Sequence, residues 1–426
     1  MKINLFYGSS KISVNIPSKN LEKIIVPRKT QKTSSSVLKE AFENPYGKKL
    51  EILAQNKKVV VLIEDCTRSN PHKKIISECN KRLKKAQSVV YIIATGCHSP
   101  LMPENQKIVN VIKESIEKYK IKNAEIIIHD SQKANFKYLG KTSFKTPVFV
   151  NEKALNTDLY VITSSMKSHY FAGYCNPIKN FAPGVCKFET VEANHFLSLE
   201  KNATFGQHPY HPNPKKRNNP VAEDMLETMN LIKQKTDVFA LVIYGSKKIE
   251  WAKAGEIKKV IRDGIKKVDE LTSFFVKPAQ YIIVSPGGYP NDADVYMAQR
   301  GLDLVNQAVL DNGEILFLAE CKNGFAPSKE AEDFFYKRLT WPLAKIFKEI
   351  KTNYKLSMQK TYKMAKLIER TKKIWLYSQL KNKDVLKMHL YPTPSPQEII
   401  DKWIKKDPTA KILVFNSASN LAIYKK

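Results

Sequence analysis

Short apolar runs rich in valine and isoleucine recur along the chain and alternate with stretches of helical period. Runs that are continuous rather than alternating, and that end in turn residues, are typical of strands buried on both faces of a parallel sheet. Between the first two runs, Ile75, Ile76, Cys79 and Leu83 recur at helical spacing. The pattern predicts an α/β fold with mainly parallel sheets flanked by helices. The runs are KVVVLIED (58–65), SVVYIIATG (88–96), AEIIIHD (124–130), TPVFVN (146–151), DLYVITSS (158–165), DVFALVIYG (237–245), QYIIVSPGG (280–288), EILFLAE (314–320) and KILVFN (411–416).

The length of 426 residues, 42 % of them hydrophobic, is enough for two domains that each bury a core. The proline-rich stretch 203–220 has no periodicity and predicts a loop, and a helical stretch over 256–275 leads into the strand run at 280. We therefore expect an N-terminal domain over residues 1–271 and a C-terminal domain over residues 272–426. Since ligands of open α/β sheets bind beyond the carboxyl ends of the strands, we expect the active site in the cleft between the domains.

The net charge of +30 raises the possibility of a nucleic-acid-binding protein. Only eight of the 71 basic residues are arginine, the residue that base readout favours, and the lysines are spread along amphipathic segments typical of solvated helix faces. No basic stripe with interleaved aromatic residues is present, so this class is the weaker alternative; a steep salt dependence of DNA binding would support it.

The chain has no run of eighteen apolar residues and no signal-like N-terminus, which argues against a membrane protein. The six cysteines are scattered without a CxxC pair, as expected for thiols in a reducing cytosol, and we expect a cytoplasmic protein.

Polar clusters follow four of the predicted strands at their carboxyl ends, where one shared site would form. Each of these residues also has an ordinary structural interpretation. Asp65 could cap a helix beginning near Pro71, His98 could lie in a turn, and Lys179 could be one more solvated lysine. The clusters argue for function only together. They are EDCTRSNP with Asp65 and Arg68, ATGCHSP with His98, SSMKSHYFAGYCNPIKNFAPG with His169 and Lys179, and SPGGYPNDADVYMAQR with Tyr296 and Arg300.

Taken together and in order, these segments resemble the nickel-dependent lactate racemase family. The similarity covers roughly residues 1 to 330. Seven spaced motifs in the right order are specific for the family and less specific for the substrate. They are DCTR, ATGCHSP, HDS followed by YLGKT, SHYFAGY with Lys179, APG, ANHF and SPGGYPND.

The resemblance implies a cofactor, a nickel-pincer nucleotide, which is a pyridinium mononucleotide with two sulfur-bearing arms joined to a lysine. By motif position the covalent anchor is Lys179, ten residues after His169. The nickel-binding histidine maps onto His195 in ANHF, where the ordinary interpretation is a packed or surface histidine of a helix. Asp65 and Arg68 fall where the family contacts the cofactor. Enzymes that make the cofactor are implied partners.

The resemblance also implies a racemase or epimerase of a 2-hydroxy acid, with His98 and His169 as paired acid/base residues. Substrate contacts map onto Arg68, Tyr296 and Arg300. The chemistry fits these residue types, because the α-hydrogen is barely acidic and is better removed as hydride while a base takes the hydroxyl proton. Histidine suits proton exchange near neutral pH, and arginine binds a carboxylate bidentately.

The chain departs from the family pattern at two places. Cys175, Asn176 and Pro177 stand where the family has a small, glycine-rich pair, which leaves open a family member that binds the cofactor without catalysis. Met297 stands where a glutamine is common, and Arg300 where a lysine is common. These two changes predict a carboxylate environment different from that for lactate.

Overall fold

The computed structural model describes residues 1–30, 36–68, 70–245 and 248–426. They form two compact units. One comprises Thr30–Val268, and the other combines Met1–Lys29 with Asp269–Lys426.

The strands, in chain order, are β1 Lys2–Tyr7, β2 Ser10–Asn15, β3 Leu21–Ile25, β4 Lys58–Glu64, β5 Ser88–Ala94, β6 Ala124–Ile128, β7 Phe136–Lys141, β8 Pro147–Asn151, β9 Leu159–Ser165, β10 Lys167–His169, β11 Gly173–Cys175, β12 Asp237–Gly245, β13 Ile249–Glu256, β14 Ser273–Val276, β15 Ala279–Ser285, β16 Val309–Leu318, β17 Lys373–Tyr377, β18 Tyr391–Pro392, β19 Ile412–Asn416 and β20 Ala422–Lys425. The α-helices are α1 Val37–Glu43, α2 Leu50–Leu53, α3 His72–Leu83, α4 Pro103–Tyr119, α5 Ile178–Phe181, α6 Phe188–Phe196, α7 Pro220–Lys233, α8 Ile257–Thr272, α9 Val295–Val305, α10 Lys329–Phe334, α11 Tyr336–Leu339, α12 Leu343–Thr352, α13 Met358–Arg370, α14 Asn382–Lys387 and α15 Pro396–Lys406.

The unit Thr30–Val268 is built on a six-stranded sheet in the order β13-β12-β9-β4-β5-β6. Every neighbouring pair is parallel except β12 with β13. Central strand β4 buries every residue after Lys58, as a strand covered on both faces must. The predicted helical positions Ile75, Ile76, Cys79 and Leu83 are the buried face of α3, which packs into the core on this sheet.

The second unit also contains a six-stranded sheet, in the order β18-β17-β16-β15-β19-β3, in which all neighbouring pairs are parallel. Its core includes Trp403 of α15, which stacks on Tyr281 of β15 with ring centroids 4.8 Å apart. The two mainly parallel sheets flanked by helices confirm the predicted fold class.

Two sequence expectations differ from the structure. The first 29 residues, predicted within a domain of residues 1–271, belong to the second unit because β3 pairs with β19. The boundary predicted near residue 272 lies close to the observed division at Val268 and Asp269. The apolar run 146–151 forms β8, which lies outside the six-stranded sheets and pairs antiparallel with β7.

Within the described residues, no helix is both long and apolar enough to cross a membrane.

Candidate active site

Two buried carboxylates stand at the end of β4: Glu64 is its last residue and is 6 % exposed, and Asp65 follows it and is 2 % exposed. Glu64 accepts hydrogen bonds from the backbone N–H of Ser165 at 2.7 Å, from the Ser165 hydroxyl at 2.8 Å and from the Asn70 amide at 2.6 Å. Asp65 accepts from the Thr67 hydroxyl at 2.6 Å. The two carboxylates at the end of this apolar strand are therefore satisfied by hydrogen bonds from several neighbouring donors.

His98 follows β5, the neighbour of β4, and its Nδ1 lies 2.8 Å from Oδ2 of Asp65. Burial raises the pKa of Asp65, but the hydrogen bond and charge of His98, the charge of Arg68 and the hydrogen bond of Thr67 outweigh it and hold the pKa below its usual value. Asp65 is thus an ionised partner of His98. The alternative in which Asp65 caps α3 is wrong, because that helix begins after Pro71 without a side-chain cap.

Arg68 lies half-buried beside these groups. Burial, which lowers the pKa of Arg68, is outweighed by the nearby Cys175 thiol and by the carboxylates of Glu64 and Asp65, so that the pKa is raised. The guanidinium is therefore a permanent cation at the end of β4.

The β10–β11 hairpin carries His169, and the segment after it leads to Lys179 in the short helix α5. Asn176 orders this segment: its side-chain oxygen accepts from the Ile178 N–H at 2.9 Å, and its amide donates to the Tyr174 carbonyl at 3.1 Å. Pro177 lies directly before α5 with a helical φ of −54°. The departure from the family pattern at Cys175, Asn176 and Pro177 therefore forms an ordered entry to the helix of Lys179.

Phe171, at the turn of the hairpin, contacts three of the predicted site residues. Its ring centroid lies 4.5 Å from that of His169 and 5.1 Å from that of His195, and the Lys179 amine lies 5.8 Å from it. Phe171 is 3 % exposed, so it is a buried support for all three side chains.

His195 lies on α6, as its helical sequence context predicted, and is 8 % exposed. Burial lowers its pKa to about 3, the nearby Lys179 and His98 charges act in the same direction, and the Val191 carbonyl opposes them. The ring is therefore neutral at pH 7, and its buried Nδ1 makes no hydrogen bond to any part of the chain that the structure describes.

A cavity of about 50 Å³ joins the ends of β4 and β5 to the Lys179 segment. Asp65, Arg68, His98 and Lys179 all line this cavity. His169 and His195 do not line it, but both rings contact Phe171, whose ring also lies near the Lys179 amine. The wall is formed by Glu64, Asp65, Arg68, Ala94, Thr95, Gly96, His98, Cys175, Lys179, Asn180, Pro183 and Gly184.

Tyr296 and Arg300 belong to the other unit, where they lie one turn apart on α9. Both are half-buried, and Met297 between them is 37 % exposed. Lys360 of α13 donates a hydrogen bond to the Tyr296 carbonyl, and its amine lies 4.1 Å from the centroid of the Tyr296 ring.

Sequence reasoning missed Glu64, Phe171 and Lys360. Glu64 ends an apolar run at the position next to Asp65, which was a usable signal for a second carboxylate. Phe171 lies within the motif SHYFAGY but has an ordinary core side chain, and Lys360 is one of many lysines, so neither stood out.

The chain matches two family models in sequence order. Residues 7–206 match the Lactate racemase N-terminal domain and residues 275–418 match the Lactate racemase C-terminal domain. It is 29 % identical over 361 residues to the Lactate racemase of Thermoanaerobacterium thermosaccharolyticum, a match that covers 79 % of this chain and 81 % of the relative. Identity to the Lactate racemase of Lactiplantibacillus plantarum is 26 % over 335 residues, covering 76 % of this chain and 75 % of the relative.

The fold is similar to that of the lactate racemase apoprotein from Thermoanaerobacterium thermosaccharolyticum, with a TM-score of 0.84, 24 % identity and 100 % of both chains covered. A crystal structure of a Thermotoga maritima protein matches with a TM-score of 0.61 at 13 % identity, over 88 % of this chain and 96 % of that one. With both family models matched in order and a fold of the same kind, the chain belongs to the lactate racemase family of isomerases.

Proposed function

We propose that this protein interconverts the enantiomers of a 2-hydroxy acid by reversible hydride transfer to a nickel-pincer nucleotide attached covalently to Lys179. The observation that carries the proposal is the cavity of about 50 Å³ whose wall includes His98 with its partner Asp65, the Arg68 cation and the Lys179 amine. A base, an anion-binding group and a nucleophilic amine facing one cavity are the parts that a tethered-cofactor racemase needs.

The donor set fits the proposed group. His195 has a neutral, buried imidazole whose Nδ1 makes no hydrogen bond among the described residues, and neutral imidazole is a good nickel ligand. The Phe171 ring lies 5.1 Å from the His195 ring and 5.8 Å from the Lys179 amine, so the two side chains are close enough to serve one bound group. No cluster of three or more His, Cys, Asp or Glu residues within the described ranges is arranged to hold a metal. As the resemblance implies, His195 would be the protein ligand to nickel.

The chain itself would supply binding and proton transfer. When bound, the nucleotide would supply the acceptor that takes the α-hydrogen as hydride. His98 takes the hydroxyl proton, and the ionised Asp65 behind it stabilises the resulting imidazolium. His169 would serve the opposite face of the substrate. Arg68 would bind a phosphate or carboxylate oxygen. Both carboxylate oxygens of Asp65 already accept hydrogen bonds, one from Thr67 and one from His98. Asp65 would therefore orient His98 in addition to any contact that it makes with the cofactor.

We further propose that Tyr296, Arg300 and Arg68 contact the substrate, and that the substrate is a 2-hydroxy acid larger than lactate. A guanidinium at 300 in place of an ammonium favours a bidentate anionic contact. The exposed Met297 beside it offers an apolar contact where an amide is common in the family.

Covalent loading tests the cofactor assignment. Protein from a cofactor-producing cell should carry an added mass on the peptide that contains Lys179, with about one nickel per chain. Lys179→Ala should lose both, whereas Lys187→Ala, a matched lysine eight residues later whose amine lies over Phe149, should keep both. An unmodified Lys179 peptide in fully active enzyme would refute the tether. Full loading with no racemase activity on any acid would instead indicate a cofactor-binding protein without catalysis.

A panel of single enantiomers tests the substrate assignment. Loaded enzyme should have a higher kcat/KM for malate, longer 2-hydroxyalkanoates or sugar acids than for lactate. Arg300→Lys should shift the ratio toward lactate, because an ammonium is a point charge without the planar fork. Preference of the wild-type enzyme for lactate over the whole panel would contradict the proposal.

A further inference from the structure

The Nδ1 atoms of the two acid/base histidines have partners of opposite kind. Nδ1 of His98 lies 2.8 Å from Oδ2 of Asp65, a carboxylate that is 2 % exposed. Asp65 is ionised and an ionised carboxylate can only accept, so the proton of this contact is on His98 Nδ1. The Nε2 atom of a neutral His98 ring therefore carries no proton.

His169 has the reverse arrangement. Its Nδ1 accepts the backbone N–H of Ala172 at 3.2 Å, across the turn between β10 and β11. A backbone N–H can only donate, so His169 Nδ1 carries no proton and the neutral ring is protonated at Nε2. The ring is held in place by Tyr170, which stacks on it with centroids 5.1 Å apart, and by the edge contact with Phe171 at 4.5 Å.

We propose that the two histidines are preset in opposite tautomers, His98 as a proton acceptor at Nε2 and His169 as a hydrogen-bond donor at Nε2. Asp65 and the Ala172 N–H are the positioning groups that set them. The assignment of acid/base roles rests on the proposed function, but the tautomers do not, because the two Nδ1 contacts are properties of the chain alone.

The two faces of the site are then unequal. The enantiomer whose hydroxyl meets His98 can pass its proton directly to Nε2, and the imidazolium formed keeps its hydrogen bond to Asp65. His169 can accept a proton at Nε2 only after Nδ1 becomes protonated, and a protonated Nδ1 cannot also accept the Ala172 N–H. Proton uptake at His169 therefore requires opening of this turn contact.

The tautomers can be read by NMR on the protein without cofactor. Long-range ¹⁵N–¹H correlation spectra of ¹⁵N-histidine-labelled protein separate the protonated ring nitrogen from the unprotonated one, which resonates well downfield. The signals of the eight histidines are assigned with His98→Gln and His169→Gln. We expect the downfield nitrogen to be Nε2 in His98 and Nδ1 in His169. The same tautomer in both rings, or a proton on Nδ1 of His169, would overturn the proposal.

Two variants test the positioning groups separately. Asp65→Asn should convert His98 toward the Nε2-protonated tautomer and leave His169 unchanged. Ala172→Pro removes the N–H and should release His169 into a tautomer mixture, while Ala172→Gly keeps the N–H and should preserve the wild-type signals. If Ala172→Pro does not fold, the wild-type assignment and Asp65→Asn still decide the matter. Failure of covalent loading at Lys179 would count against the proposed function and would not alter these spectra.

Discussion

Gly173, the first residue of β11, has a backbone conformation and a neighbour that only glycine tolerates. Its φ is +73°, and a Cβ atom at this position would lie 1.7 Å from the Gln207 carbonyl oxygen. Asn219 holds the same two segments together, since its amide donates to the Phe171 carbonyl at 2.8 Å and to the Thr204 carbonyl at 3.0 Å. The proline-rich loop predicted over 203–220 is thus a brace for the hairpin of His169.

We expect Gly173→Ala to destabilise the protein by roughly 2–5 kcal/mol, the sum of a left-handed backbone cost and overpacking against a carbonyl. Gly140→Ala is the matched control, because Gly140 has a φ of +112° but a Cβ there would meet nothing within 4 Å. Urea denaturation of both variants measures the difference. Equal losses in the two variants would show that the Gln207 contact has no energetic role.

Individual side chains show what a sequence motif can and cannot predict. His98, His169, Lys179 and His195 were proposed as site residues from the order and spacing of the motifs, and their roles stay predictions. The hydrogen bond from His98 to Asp65 was not predicted, since it depends on β4 and β5 being neighbours with aligned ends. The role of Phe171 was missed for the same reason: its three contacts come from different segments and leave no periodic trace in the sequence.

At the scale of elements, α13 supports α9 from behind through Lys360. This lysine is 6 % exposed, and burial lowers its pKa to about 8 against the opposing charges of Asp303 and Asp294. Its amine both donates to the Tyr296 carbonyl and lies over the Tyr296 ring. The first turn of α9, which contains Tyr296 and lies one turn before Arg300, is therefore held by a buried cation.

We expect Lys360→Met to raise KM for the acid substrate about tenfold with a smaller change in kcat, which corresponds to the ~1.5 kcal/mol of a charged hydrogen bond. Lys366→Met is the control. Like Lys360, Lys366 is on α13 and has its amine over a tyrosine ring, 4.5 Å from the centroid of Tyr362, but its side chain is exposed. Steady-state kinetics of the loaded enzymes compare them. A fall in kcat at constant KM would point to a role other than holding Tyr296.

Buried strands were predicted more reliably than edge strands, for a physical reason. Strands β4, β9 and β12 are apolar over most of their length because both faces are covered. Edge strand β3 exposes three of its five residues, and edge strand β13 is largely half-buried, so neither has a continuous apolar run. Missing β3 is also what placed the first 29 residues in the wrong unit.

At the scale of the whole molecule, two histidines outside the proposed metal site are buried in neutral form. His129, at the end of β6, is fully buried and bonded to the Cys186 carbonyl at 3.0 Å, and burial lowers its pKa to about 4. His208, in the loop that braces the hairpin, is 1 % exposed, and burial with the nearby charge of His211 lowers its pKa to about 3. Both rings ionise readily only after unfolding.

The sign of the pH dependence follows from these values. Between the unfolded pKa of about 6.5 and the folded values near 4 and 3, the unfolded chain binds more protons. Above pH 6.5 these two histidines therefore cost the folded state no stability. As the pH is lowered below 6.5, the free energy of unfolding decreases by about 1.4 kcal/mol per pH unit for each histidine. We expect the double variant His129→Gln, His208→Gln to be less stable at pH 8 but to lose stability less steeply from pH 6.5 to 5. Urea titrations along this pH range measure the slope, to which carboxylates contribute alike in both proteins. A double variant with the wild-type slope would show that neither histidine stays neutral in the folded state.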